Sequence, residues 1–350
     1  MTDLNFNMDA QRRFLMNLLA IHSPTGYHRE AMDFCHAQFE ALNVPNLTVS
    51  RTNKGAVLLH WTGDASDEPR GVTAHADTLG LMVTEIKSNG RLKCTKLGGL
   101  TLSGAEYENV TVRTHTDQRY RGTFIHVNPS SHVNRQIEGE RTLDNMEVRL
   151  DERVESAFDV LELGIAVGDF VFLDPRVEYI ESSGYLRSRF LDDKAGVANI
   201  YGAIMALHDA GLRPAQDTTF LIANYEEVGH GGSAGMPDDI VELLTIDMGA
   251  IGQGQNGVET AVSICVKDGG GPYHFDMNSK LRDLATEHGI DFRLDIYVYY
   301  SSDGTAYWRA GGDACVGLIG PGVASSHGYE RTHIDGLKHT THLIARYLLS

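Results

Sequence analysis

The sequence predicts an α/β protein whose chain is interrupted by a small β-rich insertion. Three observations point there. Helical and strand-like patterns alternate over residues 1–80. Closely spaced strand-like runs with polar, Gly-rich turns such as Ser88-Asn89-Gly90 fill residues 81–178. The α/β alternation then resumes over residues 179–350. The economical division is therefore one α/β domain made of 1–80 and 179–350, with 81–178 inserted into it.

The elements follow in order. Residues 9–21 place Leu15, Leu18, Leu19 and Ala20 on one face and stop before Ser23-Pro24, as an amphipathic helix does. Arg12-Arg13 before Phe14-Leu15-Met16 mimics a twin-arginine export signal. The apolar run contains Asn17, ends at Ile21 and lacks a small-residue cleavage site, so the expected location is cytoplasmic. Residues 29–42 read as a second helix, with Ala31, Phe34, Cys35 and Leu42 at helical spacing. Residues 57–61 and 71–75 read as short buried strands. In the insertion, runs at 81–86, 91–96, 110–114, 121–125 and 169–173 flank a short helical candidate at 151–161 and predict a small barrel or sandwich. Beyond it come a helix at 195–207, strands at 218–225 and 241–247, a helix at 279–288, a strand at 293–299 and a helix at 337–348.

Composition narrows the partners. The 350 residues carry 47 acids against 30 bases, a net charge of −17 that repels phosphate backbones and anionic lipid. No stretch approaches the roughly 20 apolar residues of a membrane span. The expectation is no nucleic acid and no membrane. Cys35, Cys94, Cys265 and Cys315 are scattered with no CxxC pair, which argues against a disulfide scaffold or thiolate zinc site.

Metal-competent residues stand where apolar runs end. Val72-Thr73-Ala74 leads to His75-Ala76-Asp77, Phe220-Leu221-Ile222-Ala223 leads towards Glu226-Glu227, and Leu243-Leu244-Thr245-Ile246 leads to Asp247. Open α/β sheets gather ligands at the carboxyl ends of strands, so these endings can converge. A strand puts His75 and Asp77 on the same face, where the carboxylate can hold the ring nitrogen that binds no metal. Asp192-Asp193 precede a helix, and His327 lies in the loop Ser325-Ser326-His327-Gly328. Of the adjacent Glu226 and Glu227, which point in different directions, one can ligate while the other serves as base.

His75-x-Asp77, Leu191-Asp192-Asp193, Glu226-Glu227-Val228-Gly229, Ile246-Asp247-Met248 and the late His327 resemble, in that order, the dinuclear-metal aminopeptidases of the glutamyl, deblocking and tetrahedral-shell type. The resemblance spans the chain, including Asn53-Lys54-Gly55 and Gly164-Ile165-x-x-Gly168-Asp169-x-Val171. It implies a zinc-peptidase-like α/β/α sandwich with a mixed sheet and an inserted β-barrel. It also implies two divalent metal ions per subunit, zinc first by ligand type, with cobalt or manganese fitting the same shell. Asp192 would bridge them, Glu227 and His327 would complete one site, and His75 and Asp247 the other. Glu226 would be the general base towards a bridging water, and Asp77 the partner of His75. The implied partners are a peptide or dipeptide substrate and further copies of the chain, from dimer to dodecamer.

Two departures from the family pattern stand out. Lys194 follows the paired acids where Arg is more usual. Ser326-His327-Gly328-Tyr329-Glu330-Arg331-Thr332-His333 replaces the usual surroundings of the last histidine, and makes His333 a rival ligand. This variant loop resembles a bacterial subgroup associated with an N-acetylglutaminylglutamine amide osmoprotectant, which brings modified dipeptides among the candidate substrates.

Two decoys are set aside. Residues 252–257 satisfy a dinucleotide fingerprint but precede a strand-like run, not a helix. Gly231-Gly232-Ser233-Ala234-Gly235 satisfies a serine-hydrolase elbow, with Asp247 and His327 in the right order, yet Ser233 stands well beyond the preceding strand. A serine hydrolase using Ser233 and a non-catalytic oligomeric binding protein are the alternative readings.

Overall fold

The computed structural model describes residues 4–350. The amino-terminal helix α1 (Met8–Leu19) starts where the Asn7 side chain accepts the Ala10 N–H at 3.0 Å, and it buries Phe14, Leu15, Leu18 and Leu19. α2 (Arg29–Ala41) buries Ala31, Met32, Cys35 and Phe39. β1 (Leu47–Arg51), β2 (Val57–Trp61) and β3 (Ala65–His75) follow. The last six residues of β3 are buried, so its carboxyl end carries His75 into the interior.

The insertion closes into a barrel. β4 (Gly80–Ile86), β5 (Leu92–Leu97), β6 (Asn109–Arg113), β7 (Arg119–His126), β8 (Met146–Leu150) and β9 (Phe170–Leu173) pair in the order β4-β5-β8-β7-β6-β9. Closure removes the exposed edges that six short antiparallel strands would otherwise present. Two short helices sit between strands, α3 (Leu102–Ala105) and α4 (Ala157–Glu162), the latter started by a Ser156/Asp159 capping box. β8 is the one barrel strand that the sequence pattern does not single out.

β10 (Glu178–Ile180) and β11 (Tyr185–Ser188) return the chain to the main sheet. α5 (Leu191–Asp209) then runs through the centre of the molecule with 16 of its 19 residues buried, packed between α1 and the carboxy-terminal helix. β12 (Gln216–Ala223), β13 (Glu242–Ile246), β14 (Gly249–Ile251), β15 (Val262–Asp268) and β16 (Gly271–Pro272) precede α6 (Phe275–Glu287) and β17 (Phe292–Ile296). α7 (Asp303–Arg309), β18 (Cys315–Ala324), β19 (Glu330–His333) and α8 (Ile334–Leu348) complete the chain.

The large sheet is mixed and runs β1-β2-β12-β3-β13-β18-β19-β11-β10. β12, β3, β13 and β18 are mutually parallel, so their carboxyl ends point to one side of the molecule. This fold is the α/β class with an inserted barrel that the sequence predicts. β18 is one of the elements the sequence conceals, because Gly317, Gly320, Pro321 and Gly322 give it a loop composition. A Cβ on Gly320 would lie 1.8 Å from the Asp247 carbonyl oxygen, so the strand can sit beside β13 only without a side chain there. Among the described residues no helix is long and apolar enough to cross a membrane.

Candidate active site

Parallel strands deliver the acids and one histidine to a single place. His75 ends β3, Glu226 and Glu227 form a one-turn helix just past β12, and Asp247 follows β13. Asp192 enters from the start of α5, and His327 from the turn between β18 and β19. All but His75 line a pocket of about 400 Å³. His75 lies beneath it, 1 % exposed.

Asp192 faces both histidines. Its Oδ1 lies 3.3 Å from His75 Nε2 and its Oδ2 lies 3.6 Å from His327 Nε2. Glu227 Oε2 is 3.5 Å from the same His327 nitrogen, and Glu226 Oε2 is 3.6 Å from His75 Nε2. Two groups of possible metal donors result, His75/Asp192/Asp247 and Asp192/Glu227/His327, each with its ligand atoms within 4.8 Å of one another.

The chemistry of these donors fits divalent cations. His75 Nε2 is buried without a hydrogen-bond partner while facing carboxylates. Burial, reinforced by neighbouring negative charge, pushes the carboxyls of Glu226, Glu227 and Asp247 well above the usual range. Asp192 goes the other way: burial alone would raise it, but His75 and His327 hold it low. Acids crowded out of water in this way need positive charge between them. Oxygen and imidazole donors without thiolate suit zinc, cobalt or manganese.

Around these donors the chain builds a rigid frame. His75 Nδ1 lies 3.0 Å from the backbone oxygen of Asp77 and 3.6 Å from its Oδ1. The orienting acceptor closest to the ring is thus the Asp77 backbone, where the sequence pattern points to the carboxylate. That carboxylate is turned to other donors: the Thr25 hydroxyl at 2.6 Å and the Glu226 and Glu227 N–H groups at 3.1 and 3.4 Å. On the far side the Gly99 carbonyl stands 3.1 Å from His327 Nδ1, and a Cβ on Gly99 would come within 2.7 Å of that nitrogen. The barrel's edge therefore reaches the site through Gly99, where an added side chain would crowd the His327 ring.

Two side chains in this frame, Glu330 and Asp303, escape sequence reasoning. Glu330, 2 % exposed, accepts the Asp192 and His327 N–H groups, and its only sequence signal is its place three residues past His327. Asp303, at the start of α7, accepts the Gly232 N–H at 2.5 Å and the Thr73 hydroxyl at 3.3 Å, and burial raises its carboxyl to about 6. Asp193 lies apart from the donor groups and caps α5 by accepting the Gly196 N–H at 3.1 Å. Lys194 is fully buried and donates to the Leu18 and Ile21 carbonyls at the end of α1.

The rivals lie elsewhere. His333 Nε2 faces the Ser183 carbonyl at 2.8 Å and its Nδ1 accepts the Asp335 N–H, so it belongs to neither donor group. Ser233 lines a separate cavity with Met236 and Tyr307, away from the pocket that holds Asp247 and His327. Residues 252–257 lead into strand β15, as their flanking pattern predicts.

The chain thus combines a mixed α/β sheet, an inserted six-stranded barrel and two groups of possible metal donors that share one carboxylate. Residues 55–343 match the M42 glutamyl aminopeptidase family, and the chain belongs to that family of aminopeptidases. It is 44 % identical over 337 residues to the putative aminopeptidase YhfE of Bacillus subtilis, covering 96 % of each chain. The fold is shared with a TET aminopeptidase from a marine sediment Thaumarchaeota archaeon, at TM-score 0.87 and 17 % identity over 98 % of this chain and 96 % of that one. It is shared too with the Pyrococcus horikoshii TET1 peptidase, at TM-score 0.82 and 21 % identity over 97 % and 99 %. That peptidase can assemble into a tetrahedron or a large octahedral shell.

Proposed function

We propose that the protein is a two-metal aminopeptidase that removes N-terminal residues from peptides or small dipeptides, modified dipeptides included. One observation carries the reading. Asp192 offers an oxygen to each of two donor groups, while Glu226 reaches the same space and belongs to neither. His75 and Asp247 would hold one divalent ion, Glu227 and His327 the other, and Asp192 both, with zinc the first choice by ligand type. Such ions, when bound, polarise a scissile carbonyl and lower the pKa of water.

The chain's own residues supply the rest. Glu226 takes the proton from the attacking water and later delivers it to the leaving amine. Its raised affinity for a proton, which comes from burial first, suits that task. Asp77 fixes the Glu226 and Glu227 backbone, and so sets where both carboxylates point. The insertion over 81–178 positions His327 through Gly99 and serves as the surface for assembly of a homo-oligomer, between dimer and dodecamer.

The test begins with protein purified without chelator. Elemental analysis is expected to find two divalent ions per chain, with activity lost to a chelator and restored by zinc, cobalt or manganese. Glu226→Gln is expected to keep the metal and lose turnover. Full activity in that variant would overturn the assigned base, and full activity without metal would overturn the whole reading. Acetylated glutamine dipeptides belong in the substrate screen.

A further inference from the structure

Once the metal donors and the base are assigned, the rest of the pocket wall carries no charge. Thr101, Gly229, Met248, Tyr299, Tyr300, Ser301 and Ser326 remain, and no lysine or arginine lines the pocket among the described residues. We propose that the site takes an uncharged N-terminal side chain, aliphatic or aromatic by preference, and discriminates against an acidic one. This rests on the aminopeptidase reading above.

The charge balance decides it. Two divalent cations would bring four positive charges to the carboxylates of Asp192, Glu226, Glu227 and Asp247, leaving no net positive charge for a substrate carboxylate. Arg189, Lys194 and Arg141 are committed elsewhere, and Lys96 lines the adjoining cavity rather than this pocket. Arg189 is buried against Glu108 at 3.0 Å and donates to the Gly104 and Gly328 carbonyls. Lys194 points away, to the end of α1. Lys96 and Arg141 line the adjoining cavity beyond Thr101, where Arg141 pairs with Glu106 at 2.8 Å and Glu138 and Glu140 add negative charge. A glutamyl side chain in the pocket would give up its water with no cation in return. A lysyl side chain fares little better, because each acid in the wall already serves a metal or a proton.

What remains suits neutral groups. Tyr300 donates its hydroxyl to the Met248 carbonyl at 2.9 Å and packs its ring on Tyr297 at 5.2 Å, so it forms a fixed wall. Tyr299 is fully exposed and lines the same pocket, an aromatic face at the rim that a substrate side chain can cover. The family's glutamyl description therefore does not extend to the wall of this chain's pocket.

The metal-loaded enzyme is compared on Leu-, Phe-, Lys- and Glu-p-nitroanilide. Leu and Phe are expected to exceed Glu by at least about 100-fold in kcat/KM and Lys by about tenfold. A Glu substrate within tenfold of Leu overturns the proposal. Calorimetry on metal-loaded Glu226→Gln provides a readout without turnover: Leu-Gly-Gly should bind at least about tenfold tighter than Glu-Gly-Gly. Equal binding overturns the proposal even if no substrate is cleaved. Absence of all cleavage with metal bound would instead overturn the aminopeptidase reading. Tyr299→Ala is expected to lower the ratio of Phe to Ala cleavage roughly threefold to tenfold, and an unchanged ratio overturns the part given to Tyr299.

Discussion

The carboxylate of Glu330 accepts the backbone N–H of Asp192 at 3.1 Å, and its second oxygen accepts that of His327 at 3.1 Å. One buried acid thereby ties the residue shared by both donor groups to the histidine of the second. Glu330→Gln keeps the shape but turns an NH2 group towards one of those N–H donors. Divalent-metal binding is expected to weaken by about 10- to 100-fold in a protein that still folds. Competition with a chromogenic chelator reads this directly, and unchanged affinity would exclude the positioning role.

Asp77 acts on Glu226 and Glu227 through their backbone. Burial would raise its carboxyl, yet His75, Thr25 and the Glu226 N–H hold it below the ordinary value, so it is present as an anion. Asp77→Asn replaces one acceptor oxygen with a donor where donors already converge. The expected result is a fall in kcat of about 100-fold with KM little changed, the mark of a misplaced base. A change confined to KM would argue for a binding role.

The legible part of this protein is its strand ends. His75, Asp247 and the Glu226–Glu227 pair follow apolar runs, and an α/β sheet collects such ends on one side whatever its finer topology. The concealed part depends on distance along the chain. Glu330 accepts from Asp192, 138 positions away, and nothing in local spacing announces that pairing. β18 is concealed for a different reason. Its glycines serve close contact with β13 and erase the hydrophobic pattern that marks a strand. Asp303 opens α7, whose seven residues, Asp-Gly-Thr-Ala-Tyr-Trp-Arg, are too few for helical periodicity to declare itself.

Arg189 joins the barrel to the His327 turn. It is 1 % exposed, pairs with Glu108 of the insertion, and donates to Gly104 on one side and Gly328 on the other. Arg189→Met leaves two carbonyls and part of a carboxylate without their donor, although Arg176 still reaches Glu108 at 3.0 Å. The expected loss is about 2–4 kcal/mol in denaturant unfolding. Arg176→Met removes a half-exposed partner of the same acid and should cost less than about 1 kcal/mol. Equal losses would show that the carbonyl bonds made by Arg189 contribute nothing.

His22 links stability to pH at the seam between α1 and the barrel. Its ring stacks on Phe172 of β9 at 4.9 Å, and burial, aided by the charge of Lys194, lowers its pKa from 6.5 to about 4. The folded state therefore prefers neutral imidazole, whereas the unfolded chain takes up a proton near 6.5. This contribution is complete above about pH 6.5, declines as pH falls towards 4, and changes no further below that. His22→Gln removes the titration. The variant should lose about 2 kcal/mol less stability than the parent between pH 7.5 and 4.5, measured by denaturant unfolding at both values. Carboxylates elsewhere titrate equally in the two proteins, so the difference isolates His22. Parallel losses in parent and variant would mean that the ring is hydrated and protonated in the folded state.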